Sequence, residues 1–189
     1  MSNWPAQRLD APDPATYSPR QQDIHDQIAS GPRGGVRGPL AVWLHRPELA
    51  AHAQALGRYC RFDSSLDQRL SELAILVTGR VFGSEYEWQI HRDHALKAGL
   101  EPAIVEAVRL NQRPDFPDEE TEIVHDVART AHEKRNLDDA LYARAEQVLG
   151  SQRLVDLVGL LGYYTLISLT INIFRVPPLS GGKKELPNV

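Results

Sequence analysis

Cysteine is nearly missing from this chain: Cys60 is the single one among 189 residues. An intramolecular disulfide is therefore impossible, and neither a Cys-x-x-Cys redox pair nor a cysteine-rich zinc cluster can be built. Such usage fits a reducing compartment, so a cytoplasmic location is expected. A large charge of either sign is missing too. The net charge is −4, and no basic run exceeds two residues, as at Lys183-Lys184. Nothing marks a surface for nucleic acid or an anionic membrane. Strand-like alternation, internal repeats and heptad arrays are absent as well. The first twenty residues hold Pro5, Pro12, Pro14 and Pro19 but no apolar run. That composition excludes a secretory signal and predicts a polar arm, ordered only where it packs on something.

What is present is an ordinary globular composition, 42% hydrophobic and 24% charged, in a chain long enough for one buried core. Leu154 to Phe174 approaches the length of a bilayer span. Asp156, Asn172, Gly159 and Gly162 interrupt it, and no basic cluster flanks it. It therefore reads as a helix buried in a core or a subunit interface rather than in lipid.

Helical patterns fill residues 21–178 and predict a single all-α domain of about seven helices, between the arm (1–20) and a loose polar tail (179–189). Residues 21–29 form a short helix. The glycine- and proline-rich stretch 30–39 is a loop, without the Gly-Lys-Ser/Thr ending of a phosphate-binding loop. Pro47 opens a helix that continues to Tyr59. Ser64 or Ser65 can cap the helix 66–81, whose stripe Leu66, Leu70, Leu73, Val77, Val81 is a core face. Ala74, Ile75 and Leu76 make it apolar nearly all round, hence central. Ser84 starts the next helix and Gly99 stops it. Asp118 and Asp138 cap two more, Gly150 breaks the chain, and the last helix runs from Ser151 to Arg175, before Pro177-Pro178.

The chemistry concentrates on two of these helices. Glu72 is the out-of-place acid within the apolar run of helix 66–81. A carboxylate buried there has its pKa raised unless it is paired, and Arg69 or Arg80 could pair it in a purely structural role. Glu87 and His91 stand four residues apart on the following helix, which makes their side chains neighbours. An acid beside an imidazole holds it near a useful pKa. Ser84-x-x-Glu87 is equally a capping box, so Glu87 reads as either base or cap. Arg80 is the nearest cation for a carboxylated substrate, and Ser84 is a second candidate for lining the site. His91 and His94 lack the further ligand a metal needs, and no metal or other cofactor is expected. Tyr86, Trp88, Tyr163 and Tyr164 read as plain core.

The elements Arg69…Glu72-Leu-Ala-Ile-Leu-Val, Tyr86-Glu87-Trp88…His91 and Ala95…Lys97-Ala-Gly-Leu100 resemble the carboxymuconolactone decarboxylase-like family, which includes the alkyl-hydroperoxidase D-like proteins. Looser similarity runs from Ile28 to Pro177. The resemblance implies an all-helical fold whose subunits assemble as trimers or hexamers. The peroxidase branch carries Cys-x-x-Cys-x-x-x-His, with a glutamate one helix earlier. Here Ser84 and Glu87 occupy the cysteine positions, while His91 and Glu72 match the histidine and the glutamate. Without a thiolate the peroxidase redox cycle cannot run. The decarboxylase branch has a glutamate four residues before its histidine, as here. The expected function is therefore lyase-type, cofactor-free acid/base chemistry on a small carboxylated or lactone substrate, with His91, Glu72 and Glu87 catalytic. Hydroperoxide reduction and non-catalytic binding of a small ligand by a homo-oligomer are the alternatives.

Overall fold

The helix Gln68–Phe82 is buried continuously from Leu70 to Arg80, and the rest of the molecule is arranged around it. In the computed structural model, which describes residues 4–179 and 183–187, every regular element is helical. The helices are α1 (Pro19–Ala29), α2 (Pro39–Trp43), α3 (Pro47–Arg58), α4 (Gln68–Phe82), α5 (Glu85–Lys97), α6 (Pro102–Arg109), α7 (Glu119–Lys134) and α8 (Asp139–Phe174). A 3-10 turn precedes α1, and a π-helical turn, Tyr59–Asp63, follows α3. Helix α4 packs on α5, α6, α7 and α8. Its apolar circumference leaves no side to face water, which is why it is central.

Helix starts follow local chemistry, with one correction. Asp118 and Asp138 cap α7 and α8 by accepting the N–H of Thr121 and Leu141. At α4 the cap is Asp67, which accepts from Arg69 N at 2.9 Å, and not Ser64 or Ser65. Ser65 is instead drawn to Asp156, which accepts both its N–H and its hydroxyl. That partner lies 91 residues away and leaves no local trace. Gly150, with φ 72° and ψ 161°, divides α8 into two helical halves.

The second half of α8 turns Leu157, Leu160, Leu161, Tyr164, Ile167 and Ile171 into the core. It is long and apolar enough to cross a membrane, and this inward face accounts for most of that character. Its outer face leaves Val155, Val158 and Ile173 more than half exposed. The described segments near both termini pack back onto the helices. Arg8 donates its N–H to Phe174 O and its guanidinium to Ile173 O at 3.1 Å. At the other end Leu186 is buried, and the Glu85 carboxylate accepts the backbone N–H groups of Glu185 and Leu186. The described part of the tail, 183–187, is thus clasped onto α5 rather than loose. Met1 to Asn3, Ser180 to Gly182, Asn188 and Val189 lie outside the described residues.

Leu73 on α4 is fully buried. Truncation to alanine is expected to lower stability by about 2–5 kcal/mol, read from urea unfolding with an unchanged slope; a loss under about 1 kcal/mol would contradict the central placement of α4.

Candidate active site

The turn between α4 and α5 is two residues long. Gly83 takes the left-handed conformation, φ 61°, at the end of α4. A side chain there would be strained, because that region suits glycine. Ser84 N then donates to Gly79 O at 2.8 Å. This tight reversal lays α5 back along α4, so that residues 19 apart in sequence meet.

They meet at His91. Its Nδ1 lies 2.6 Å from Glu72 Oε2, and its Nε2 lies 2.9 Å from Glu87 Oε1. All three are buried: 3%, 5% and 2% exposed for Glu72, Glu87 and His91. Tyr164 packs edge-on against the imidazole at 5.2 Å between ring centroids. A neutral imidazole has one N–H and could satisfy only one of the two carboxylates, whereas the imidazolium satisfies both. Burial pulls the pKa of His91 down, but the Glu72 and Glu87 carboxylates outweigh it and leave it raised. Burial likewise pushes Glu72 up, and His91 beside it more than reverses that, leaving it lowered. Both directions favour a proton on His91.

Glu87 therefore faces the imidazole and is no helix cap. Ser84 makes no side-chain capping bond, and its buried hydroxyl has no hydrogen-bond partner among the described residues. Ser84 does not line the cavity beside His91. Arg80 does not either: it donates to Pro187 O at 3.3 Å and pairs with no site carboxylate. Arg80 stands eight residues beyond Glu72, which is about 12 Å along a helix axis, too far to share its surroundings. Burial and the nearby Arg129 and Arg109 push its pKa down. Arg69, the other structural partner considered for Glu72, bonds Thr121 Oγ1 at 2.6 Å and Asp118 at 3.2 Å.

The cavity itself is about 430 Å³ and is bordered by Glu87 and His91, with Glu72 behind them. Its cations are Arg33 and Arg37 from the glycine-rich loop, Arg61 from the π turn, and Lys97. Sequence reading took the loop for a connector and missed them. A signal was there: no Asp or Glu occurs between Asp26 and Glu48, so Arg33 and Arg37 have no acidic neighbour along the chain. Tyr86, Tyr163 and Tyr164, read as core, also border the cavity.

Residues 47–118 match the model of the carboxymuconolactone decarboxylase family. The resemblance drawn from residues 66–110 is borne out, and Glu72, Glu87, His91 and Arg61 all lie within the matched segment. Arg33, Arg37, Tyr163 and Tyr164 lie outside it. No curated protein matches the chain. Among solved structures, the chain resembles an uncharacterized peroxidase-related protein from Silicibacter sp. TM1040, with a TM-score of 0.77, 15% identity, and 98% of this chain and 99% of that one covered. It also resembles the alkylhydroperoxidase AhpD core of an uncharacterized peroxidase-related protein from Ralstonia eutropha JMP134, with a TM-score of 0.73, 15% identity, and 92% and 93% covered. The fold is that of the alkyl-hydroperoxidase D core; identity at this level carries the fold alone.

Removing one member of a buried pair strands the other's charge. Glu72→Leu is expected to lower stability by about 3–5 kcal/mol, measured by denaturant unfolding. The pH dependence has a definite sign. The stabilising share of Glu72 is present above its ordinary pKa of 4.5 and lost as pH falls through its lowered value. That of His91 is full below its ordinary 6.5 and lost as pH rises through its raised value. The coupling should therefore be fully expressed between these two ordinary values and decline on either side. A double-mutant cycle on Glu72 and His91 that is flat across this range would contradict the pairing.

Proposed function

We propose that this protein carries out cofactor-free acid/base chemistry on a small carboxylated or lactone substrate, decarboxylation being one reaction of that class. The carrying observation is the Glu72–His91–Glu87 bridge at the wall of a cavity bordered by arginines that have no carboxylate partner among the described residues. Glu87 and His91 border the cavity and Glu72 stands behind them, so the proton reaches substrate through the Glu87 end. Glu87 accepts or returns the proton, His91 sets its charge and position, and Glu72 holds the imidazole ring. The sequence pattern favoured His91 as the proton carrier; with both its nitrogens engaged, that role passes to Glu87. Acid/base catalysis of this kind supplies a factor of about 10²–10⁴, and orientation by the cationic wall adds to it.

The matched family segment supports this reading, and so does the absence of a thiol pair. A second reading, hydroperoxide reduction, draws on the peroxidase-related names of the structural neighbours. Against it, Cys60 is buried and its thiol is pushed up to about 11, mainly by desolvation, so almost no thiolate exists near neutral pH. Homo-oligomer formation through the outer face of α8, in a cytoplasmic setting, belongs to the same proposal. The exposed Val155, Val158, Leu169 and Ile173 motivate it. A non-catalytic ligand-binding oligomer is the remaining alternative.

The deciding measurement is turnover of a panel of β-keto acids and lactones by the wild type and by Glu87→Gln. A loss of about 10²–10⁴-fold with an intact fold is expected. Equal turnover by the variant, or peroxide consumption with a dithiol that survives Cys60→Ala and fails in Glu72→Gln, would overturn the proposal. Light scattering is expected to give a mass above one chain; a monodisperse monomer would remove the assembly.

A further inference from the structure

The tyrosines that border the cavity were not needed for proton transfer, and one of them is unusually placed. The Tyr163 hydroxyl accepts a hydrogen bond from Arg33 Nη2 at 3.4 Å. It donates to no protein acceptor among the described residues, so its own proton is left for a ligand. Burial, opposed by Arg33, pushes its phenol up to about 12, and it remains a neutral donor across the working range of most enzymes. Room for this pair is built into α3. A Cβ on Gly57 would fall 2.1 Å from the Tyr163 hydroxyl and 2.5 Å from Arg33 Nη2. Any other residue at 57 would push both groups away.

Directly after Gly57 and Arg58 comes the π turn that brings Arg61 to the same cavity. Such turns are rare and concentrate at functional sites. Neither Arg33 nor Arg37 nor Arg61 forms an ion pair with a carboxylate among the described residues. Tyr163 stands edge-on to Tyr164 at 5.2 Å, and Tyr164 stands edge-on to His91 at 5.2 Å. The phenol donor and the proton-handling bridge thus share one wall. A carboxylate base, a free phenolic O–H and unpaired cations together suit a ligand on whose oxygen negative charge collects.

We propose that Tyr163, with Arg33 behind it, is the oxyanion-binding residue of this cavity, and that its ligands are carbonyl compounds that pass through an enolate. The proposal rests on the acid/base reading of Glu87. In the step it serves, the Glu87 carboxylate takes a proton from the carbon beside the carbonyl. The C–H electron pair becomes the C=C bond of the enolate, and the carbonyl π pair moves onto oxygen. Tyr163 donates its hydrogen bond to that oxygen. Return of the proton to carbon regenerates the Glu87 carboxylate, so no oxidant, reductant or second substrate enters.

The test uses 4-nitrophenol as a probe, since its coloured phenolate resembles an enolate in charge and shape. The full-length wild type is expected to bind the phenolate in preference to neutral 4-nitrotoluene. Tyr163→Phe should weaken phenolate binding about 10–100-fold, the range for a hydrogen bond to a charged group, and leave 4-nitrotoluene unaffected. Arg33→Met, at a half-buried position, should weaken the phenolate as well and serves if the tyrosine variant does not fold. Equal phenolate affinity in the wild type and in the folded variants, or no phenolate binding at all, overturns the proposal. Failure of the parent reading looks different. Phenolate binding that depends on Tyr163, together with full turnover by Glu87→Gln, supports the oxyanion site while removing Glu87 as the base. Turnover that needs Glu87, with a phenolate indifferent to Tyr163, removes the oxyanion site alone.

Discussion

The imidazole of His91, held between two buried carboxylates, sets the constraint to which the rest of the structure answers. Three ionisable groups taken out of water are tolerated only when each finds a partner with good geometry. At 2.6 Å and 2.9 Å the two contacts meet that condition. They require α5 to lie closely along α4, which in turn requires the tight Gly83-Ser84 reversal. They also require a dry surround, which the continuously buried α4 and the Tyr164 ring supply. Packing and chemistry are therefore hard to separate here: the helix that forms the core also carries the acid that anchors the site.

Much of this was legible in the sequence, for reasons of period and local capping. The apolar circumference of α4 announced its central place, and Asp118, Asp138 and Gly150 punctuated the chain where expected. The site triad was legible because Glu72 is out of place in an apolar helix, while Glu87 and His91 have helical spacing. Other features depended on distant partners. Ser65 is claimed by Asp156, so it could not cap α4. Arg80 was chosen for closeness along the chain, yet the cations at the cavity come from a loop and a π turn that no periodicity reveals. Tyr163 reads as core because it is core on one side. Only the tertiary arrangement shows that it borders the cavity and that its hydroxyl meets Arg33.

The docked tail shows the same dependence on long-range partners. Glu85 sits in the first turn of α5, where its carboxylate favours the helix dipole, and it also receives the backbone of Glu185 and Leu186. Arg109 adds a bond to Glu185 O at 2.7 Å. One short segment thus ties α5 and α6 together beside the helix that bears Glu87 and His91.

The cavity is assembled from two sources. The Glu72–His91–Glu87 bridge falls within the segment 47–118 that matches the family model, whereas Arg33, Arg37, Tyr163 and Tyr164 come from chain before and after it. Under the proposed function, reactivity and recognition are thereby encoded in separate stretches that touch only in three dimensions. A lineage could keep the buried bridge untouched and exchange the flanking loop and final helix, reshaping the cavity without rebuilding the wall that holds His91.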